Sequence, residues 1–180
     1  MKVYAETYYH LYNRGNNKEL IFFEDDNYNY FLNQFKKYIS PFCKVYAYCL
    51  MPNHFHFFLK VTDENAFEKG IKNFFISYSK SINKRYNRVG SLFQGRYKVS
   101  EVDTESYYTT IIIYIHQNPL RAGLVADLEE YRYSSYQAYL STKNTMIKKD
   151  DVLAWFGGLD GFVSDHEAMV ANLPANHEIR

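Results

Sequence analysis

Apolar and polar positions change period several times along this chain, and the changes mark its elements. Tyr8 to Tyr12 reads as a short aromatic strand, closed by the turn Asn13-Arg14-Gly15-Asn16-Asn17. From about Asp25 to Ile39, Tyr28, Phe31, Leu32, Phe35 and Tyr38 recur at helical spacing, and Ser40-Pro41 stops the run. Phe42 to Met51 and His54 to Val61 read as two strands, broken by Pro52-Asn53 and antiparallel to each other. A long helix is predicted from about Ala66 to Tyr86, burying Phe67, Ile71, Phe74, Phe75, Tyr78 and Ile82. A turn at Gly90 leads to a strand near Phe93 to Val102. Asp103 or Thr104 caps a further helix, which ends at Asn118 because Pro119 follows. Beyond it lie a loop from Leu120 to Glu130, a short helical segment near Ser134 to Leu140, and a less regular tail broken at Gly157-Gly158 and Gly161.

The order strand, helix, strand, strand, helix, strand is that of the split βαβ, or ferredoxin-like, fold of the α+β class. It predicts an antiparallel sheet with two helices on one face. The second face is left to carry a site, and the helix after the last strand packs across the sheet edge. The 180 residues, 47% of them apolar, suit one domain with its own core. Cys43 and Cys49 fall in one strand, roughly 20 Å apart along it and too far for a disulfide. Free thiols, no visible signal peptide and no apolar run long enough for a bilayer predict a cytoplasmic protein with no membrane partner.

Charge alters this picture in one stretch. The net charge is +1, yet Lys69, Lys72, Lys80, Lys84, Arg85, Arg88, Arg96 and Lys98 follow one another with no Asp or Glu between them. Such a zone is either a footprint for a phosphate backbone or a solvated helix face. Aromatic residues make up 19% of the chain, with 19 Tyr and 14 Phe, which serves an aromatic core and also base stacking.

The triplet His54-Phe55-His56 carries the sharpest chemical signal. Alternation along a strand sends both imidazoles to one face, about 7 Å apart, and Phe55 into the core. Two imidazoles so placed can close on one divalent ion, although the spacing also suits a half-exposed strand that binds nothing. His10, His116, His166 and His177 read as structural or exposed residues.

Three motifs in order then match a known family. Leu50-Met51-Pro52-Asn53-His54-Phe55-His56, the run from Tyr114 to Val125 that opens Tyr114-Ile115-His116-Gln117-Asn118-Pro119, and Tyr131-Arg132-Tyr133-Ser134-Ser135-Tyr136 resemble the HUH single-tyrosine transposases. Within these the chain is most similar to the subgroup associated with repetitive extragenic palindromes (REP). Asn13-Arg14-Gly15 resembles an early turn of the same proteins, and Tyr133 stands where many subgroup members carry Trp.

The resemblance covers roughly the first four-fifths of the chain. It implies residues 1–125 as the catalytic domain and 126–180 as a helical extension packed on it. It implies Tyr114 as nucleophile, and His54, His56 and Asn118 as holders of a divalent metal, Mg2+ or Mn2+. Tyr114 and Asn118, four apart, share a helix face, although Asn118 would equally cap a helix end, and Tyr107 on the same helix would serve as core. The implied substrate is single-stranded or hairpin DNA, cut and rejoined through a 5′-phosphotyrosine link. Arg14, Lys84, Arg85, Arg88, Arg96 and Lys98 are the candidate DNA contacts. The family includes homodimers that exchange the nucleophile helix, which leaves the tyrosine free to act within its subunit or on a partner. Two rivals stand beside this reading: a non-cleaving, structured nucleic-acid-binding protein derived from a transposase, and a hydrolase in which the histidines activate water through a metal.

Overall fold

The computed structural model describes residues 2–171, so His177 lies outside the described residues. The elements are β1 (Tyr8–Arg14), α1 (Asp25–Tyr38), β2 (Cys43–Met51), β3 (His54–Val61), α2 (Glu64–Arg85), β4 (Lys98–Glu101), α3 (Glu105–Arg121), α4 (Tyr136–Leu140), α5 (Lys149–Trp155) and α6 (Leu159–Ala171). The strands form one sheet in the order β2-β3-β1-β4, with every neighbouring pair antiparallel. This is the ferredoxin-like arrangement.

Alternation in β3 divides the aromatic residues between two faces. Phe55 and Phe57 meet α1 and α2, with ring centroids 5.1 Å from Phe31 to Phe55 and 4.1 Å from Phe35 to Phe57. Phe74 of α2 closes on Phe31 at 4.8 Å. His54, His56 and Phe58 point the other way. There Phe58 packs with Tyr8, Tyr46 and Tyr108, and Trp155 of α5 covers Tyr108 at 5.0 Å.

That second face is not left open, because α3 covers it from the edge strand β2 inward. Ile111, Ile112, Ile113 and Ile115 are all buried, so α3 is apolar around most of its circumference. A helix of that kind needs cover on both sides. It lies on β2 and β3 and takes α5 and α6 on its outer flank. Tyr108 supplies the core aromatic, and Tyr107, which the sequence allowed as core, is 47% exposed.

Several boundaries depart from the sequence reading. α3 continues through Pro119 to Arg121. Proline has no N–H for the Ile115 carbonyl. The Asn118 side-chain amide donates to that carbonyl at 3.2 Å and to the Tyr114 carbonyl at 2.9 Å, and the helix survives. Gly123, at φ +65°, then ends it. β4 is only four residues long, because Gly90 and Gly95 take positive φ and break the extended run before it. Gly157 and Gly158 separate α5 from α6, as expected, but the expected irregular tail is two helices and Gly161 lies inside the second. A Cβ on Gly161 would sit 2.0 Å from the Phe156 carbonyl oxygen, so glycine there permits close packing and breaks nothing.

Candidate active site

The register of the sheet builds the site. Tyr12 stands opposite His56 on one side and Lys98 on the other, while Arg14 stands opposite His54. β1 and β3 therefore raise His10, Tyr12, His54 and His56 on the face that α3 covers. The His54 and His56 rings lie 5.1 Å apart, and Tyr114 presents its ring edge-on to His56 at 5.8 Å and to His10 at 6.0 Å. Tyr114, His54, His56 and Asn118 thus meet within one chain.

Hydrogen bonding in this cluster is incomplete. His54 Nδ1 lies 2.6 Å from Asn53 Oδ1, and His56 Nδ1 lies 2.9 Å from His10 Nε2. His56 Nε2 and the Tyr114 hydroxyl are buried with no hydrogen-bond partner. Such orphans are costly and uncommon in folded proteins, and they call for an explanation.

Burial shifts His10, His54, His56 and Tyr114 toward their neutral forms. His10 and His54 are pushed down to about 4 by desolvation, with Arg14 adding to the effect on His54 and the Asn118 amide opposing it. His56 lies well below the usual histidine range, through burial and then through His10 and His54. The imidazoles are therefore neutral at neutral pH, the form that binds metals. Burial pushes the Tyr114 phenol up to about 12, against the pull of the Arg121 charge. The Arg121 guanidinium sits 5.5 Å from the centre of the Tyr114 ring.

These residues fit a divalent ion. Two neutral imidazoles, one of them with a buried and unpartnered Nε2, face the Asn118 amide, whose NH2 is already spent on backbone carbonyls. Its oxygen is the atom left over. Among the described residues no group of three or more His, Cys, Asp or Glu side chains could hold a metal ion. The protein would then supply two nitrogens and one oxygen, leaving other positions to phosphate or water.

The candidate DNA contacts divide into two sets. Arg85 is engaged by Glu24 at 2.5 Å and Asp26 at 3.6 Å, and Arg88 by Glu19 at 2.6 Å. Among the described residues Arg14, Lys84, Arg96 and Lys98 make no ion pair. Arg14 is exposed and donates from Nε to Gln94. Lys98 lies over the Tyr12 ring at 6.0 Å, on the site's own face. Arg96 borders an open groove of about 770 Å³ between α2 and residues 91–97, with Lys72 and Lys80 on its rim and Phe75, Phe93 and Tyr97 in its lining.

Sequence reasoning missed His10, Asn53, Tyr12 and Arg121. Arg121 had a signal, since it lies seven residues after Tyr114 on the same helix face. His10 had only its place on an aromatic strand. Its partner follows from the β1–β3 register, which no local period reveals.

Fold and site together define a class: a ferredoxin-like sheet that offers an imidazole pair to a phenol on a covering helix. Residues 3–118 match the family described as IS200-like transposases, and the chain belongs to that family. Its fold is similar to a solved REP-associated tyrosine transposase bound to a REP hairpin, with a TM-score of 0.60 and 15% identity over 79% of this chain and 83% of that one. No curated protein sequence matches the chain. No helix among the described residues is long and apolar enough to cross a membrane.

Proposed function

We propose that this transposase cuts and rejoins single-stranded or hairpin DNA through a covalent bond to Tyr114. The observation that carries the reading is the pair of buried, unpartnered atoms, Tyr114 Oη and His56 Nε2, at one point in the fold. His54, His56 and Asn118 would hold a divalent ion, Mg2+ or Mn2+. When bound, that ion supplies Lewis-acid stabilisation of a phosphate oxygen.

The chain's own residues set the rest. A phenol with its pKa pushed up to about 12 is only about one part in 100,000 ionised at neutral pH. It therefore needs its proton removed as it attacks, with positive charge close by. Arg121 supplies charge over the ring. The Tyr114 oxygen bonds to phosphorus, the bond from phosphorus to the 3′ oxygen breaks, and that oxygen leaves as a hydroxyl. The 5′ phosphate stays on the protein. No net bond energy is lost, so another 3′-hydroxyl can reverse the step and join strands.

Arg14, Lys84, Arg96 and Lys98 would track phosphates while exposed rings stack on bases. Arg85 and Arg88 would contribute less, since carboxylates already face them. Residues 1–125 would carry the chemistry, and α5 and α6 of the extension would brace α3 from behind. The protein would work in the cytoplasm, at the nucleoid.

The test is incubation with a hairpin oligonucleotide and Mn2+, read on a denaturing gel. A protein–DNA adduct that disappears in Tyr114→Phe supports the proposal. A shifted complex with no adduct under any divalent ion would indicate a binding protein, and cleaved DNA with no protein attached a metal-dependent hydrolase.

A further inference from the structure

We infer that His10 and Asn53 are positioning residues, each holding one imidazole of the His54–His56 pair by its Nδ1–H and leaving its Nε2 lone pair free for a metal ion. This inference rests on the reading of His54 and His56 as metal ligands and assigns the groups that make them competent.

For His54 the argument is a matter of donors and acceptors. Asn53 Nδ2 donates to the Lys18 carbonyl at 3.1 Å, which fixes the amide and turns Oδ1 toward His54. An amide oxygen only accepts. His54 Nδ1 must therefore carry the hydrogen, and in a neutral imidazole Nε2 is then bare.

For His56 two arrangements are open, because either imidazole can donate across the 2.9 Å contact. If His10 donated, His56 would carry its hydrogen on Nε2, buried with nothing to receive it. That nitrogen could not bind a metal. If His56 donates from Nδ1, Nε2 offers a lone pair, and its burial is explained by a ligand. Only this arrangement makes both histidines alike. Each then shows the pattern usual for a metal-bound imidazole, with the second nitrogen donating to an outer acceptor. His10 is itself held by stacking on Tyr12 at 4.7 Å and by the edge-on Tyr114 ring. β1 therefore contributes to a metal site whose ligands all lie on β3 and α3.

The experiment uses the full-length protein, without metal and then with Mn2+. Long-range 1H–15N spectra of the metal-free protein should show His54 and His56 both with hydrogen on Nδ1. His10→Phe keeps the ring and its packing but removes the acceptor. In this variant His56 should lose its preference and Mn2+ affinity, by calorimetry, should fall about 10-fold to 100-fold. His10→Gln, whose amide oxygen can accept, should restore most of it. Asn53→Ala should change the His54 signals and leave those of His56 alone. Hydrogen on His56 Nε2 in the wild-type protein would overturn the inference, as would undiminished Mn2+ affinity in His10→Phe. Circular dichroism confirms that each variant folds. If the wild-type protein took up no Mn2+, the metal reading would fail, and the spectra would still decide how the imidazoles are wired.

Discussion

His10 meets His56 and His116 meets His166 with the same nitrogen–nitrogen distance, 2.9 Å, and the same ring separation, 5.1 Å. What surrounds them differs. His166 Nδ1 lies 2.7 Å from the Phe162 carbonyl, an acceptor only, so it must donate. The neutral ring then accepts at Nε2 from His116 Nδ1, and His116 accepts at Nε2 from the Ser135 hydroxyl at 2.8 Å. Ser135 in turn accepts from the Tyr48 N–H at 2.9 Å. Every nitrogen is used, and the chain ties β2, α3 and α6 into one unit. The His10–His56 pair instead stops at an unpartnered Nε2 beside an unpartnered phenol. A closed network of this kind is a structural cross-link. An open one is what the proposed metal and phosphate site requires.

The largest test of that contrast removes the open end. Tyr114→Phe takes away a hydroxyl that makes no hydrogen bond, so the melting temperature should hold or rise slightly. Adduct formation should fall to background on a denaturing gel. If Tyr114→Phe unfolded the protein, the phenol would be structural and the open cluster would not be a site.

The opposite outcome is expected in the closed chain. His116→Phe leaves His166 Nε2 buried without a donor and frees Ser135 to turn to the Tyr48 carbonyl, 3.3 Å away. A stranded buried group costs about 1–3 kcal/mol, measurable as a lower denaturant midpoint. Adduct formation at permissive temperature should be largely retained, because the pair lies on the far side of α3 from Tyr114. A loss of activity with no loss of stability would reverse the two roles.

Acid should separate the same two regions more gently. His166 is held down at about 4 and His116 well below the usual histidine range, chiefly by burial, with Tyr136, Tyr139, Phe156 and Phe162 packed around them. The unfolded chain protonates both near 6.5, so it binds more protons than the folded protein below that value. Their contribution to stability is complete above about pH 6.5 and is lost as pH falls toward 4. His166→Phe should therefore flatten the dependence of melting temperature on pH in this window. An unchanged slope would mean that the buried pair titrates as it does in the unfolded chain.

The two regions also differ in how far the sequence disclosed them. His54 and His56 were legible because a strand alternates, and Tyr114 with Asn118 because a helix repeats, and all four lie in contiguous motifs. His10 was not, since its partner depends on which residue of β3 lies beside β1. The His116–His166 link was hidden for a related reason: α6 is a short helix with a glycine in its first turn, and nothing local predicts that it docks on α3. Pro119 suggested a helix end, and only the Asn118 amide, placed to replace the missing N–H, shows why the helix continues. The basic stretch read as unopposed because Glu19, Glu24 and Asp26 precede it by some sixty residues and return to it through the packing of α1 on α2.

Arg121 gives the finest test of what the open cluster is for. It is exposed, its guanidinium lies over the Tyr114 ring, and it donates to Gln117 one turn earlier at 3.2 Å. Its charge works against the burial that raises the phenol. Arg121→Gln removes the charge and keeps an amide, so stability should change by less than about 0.5 kcal/mol, as for a surface substitution. The Tyr114 phenol should titrate higher, and a shift of one unit would correspond to about 1.4 kcal/mol between phenol and phenolate. If the phenolate character of the attacking oxygen limits the reaction, adduct formation should slow by up to about tenfold, with hairpin affinity nearly unchanged. Equal losses in affinity and rate would make Arg121 a phosphate contact, acting on the DNA and not on the nucleophile.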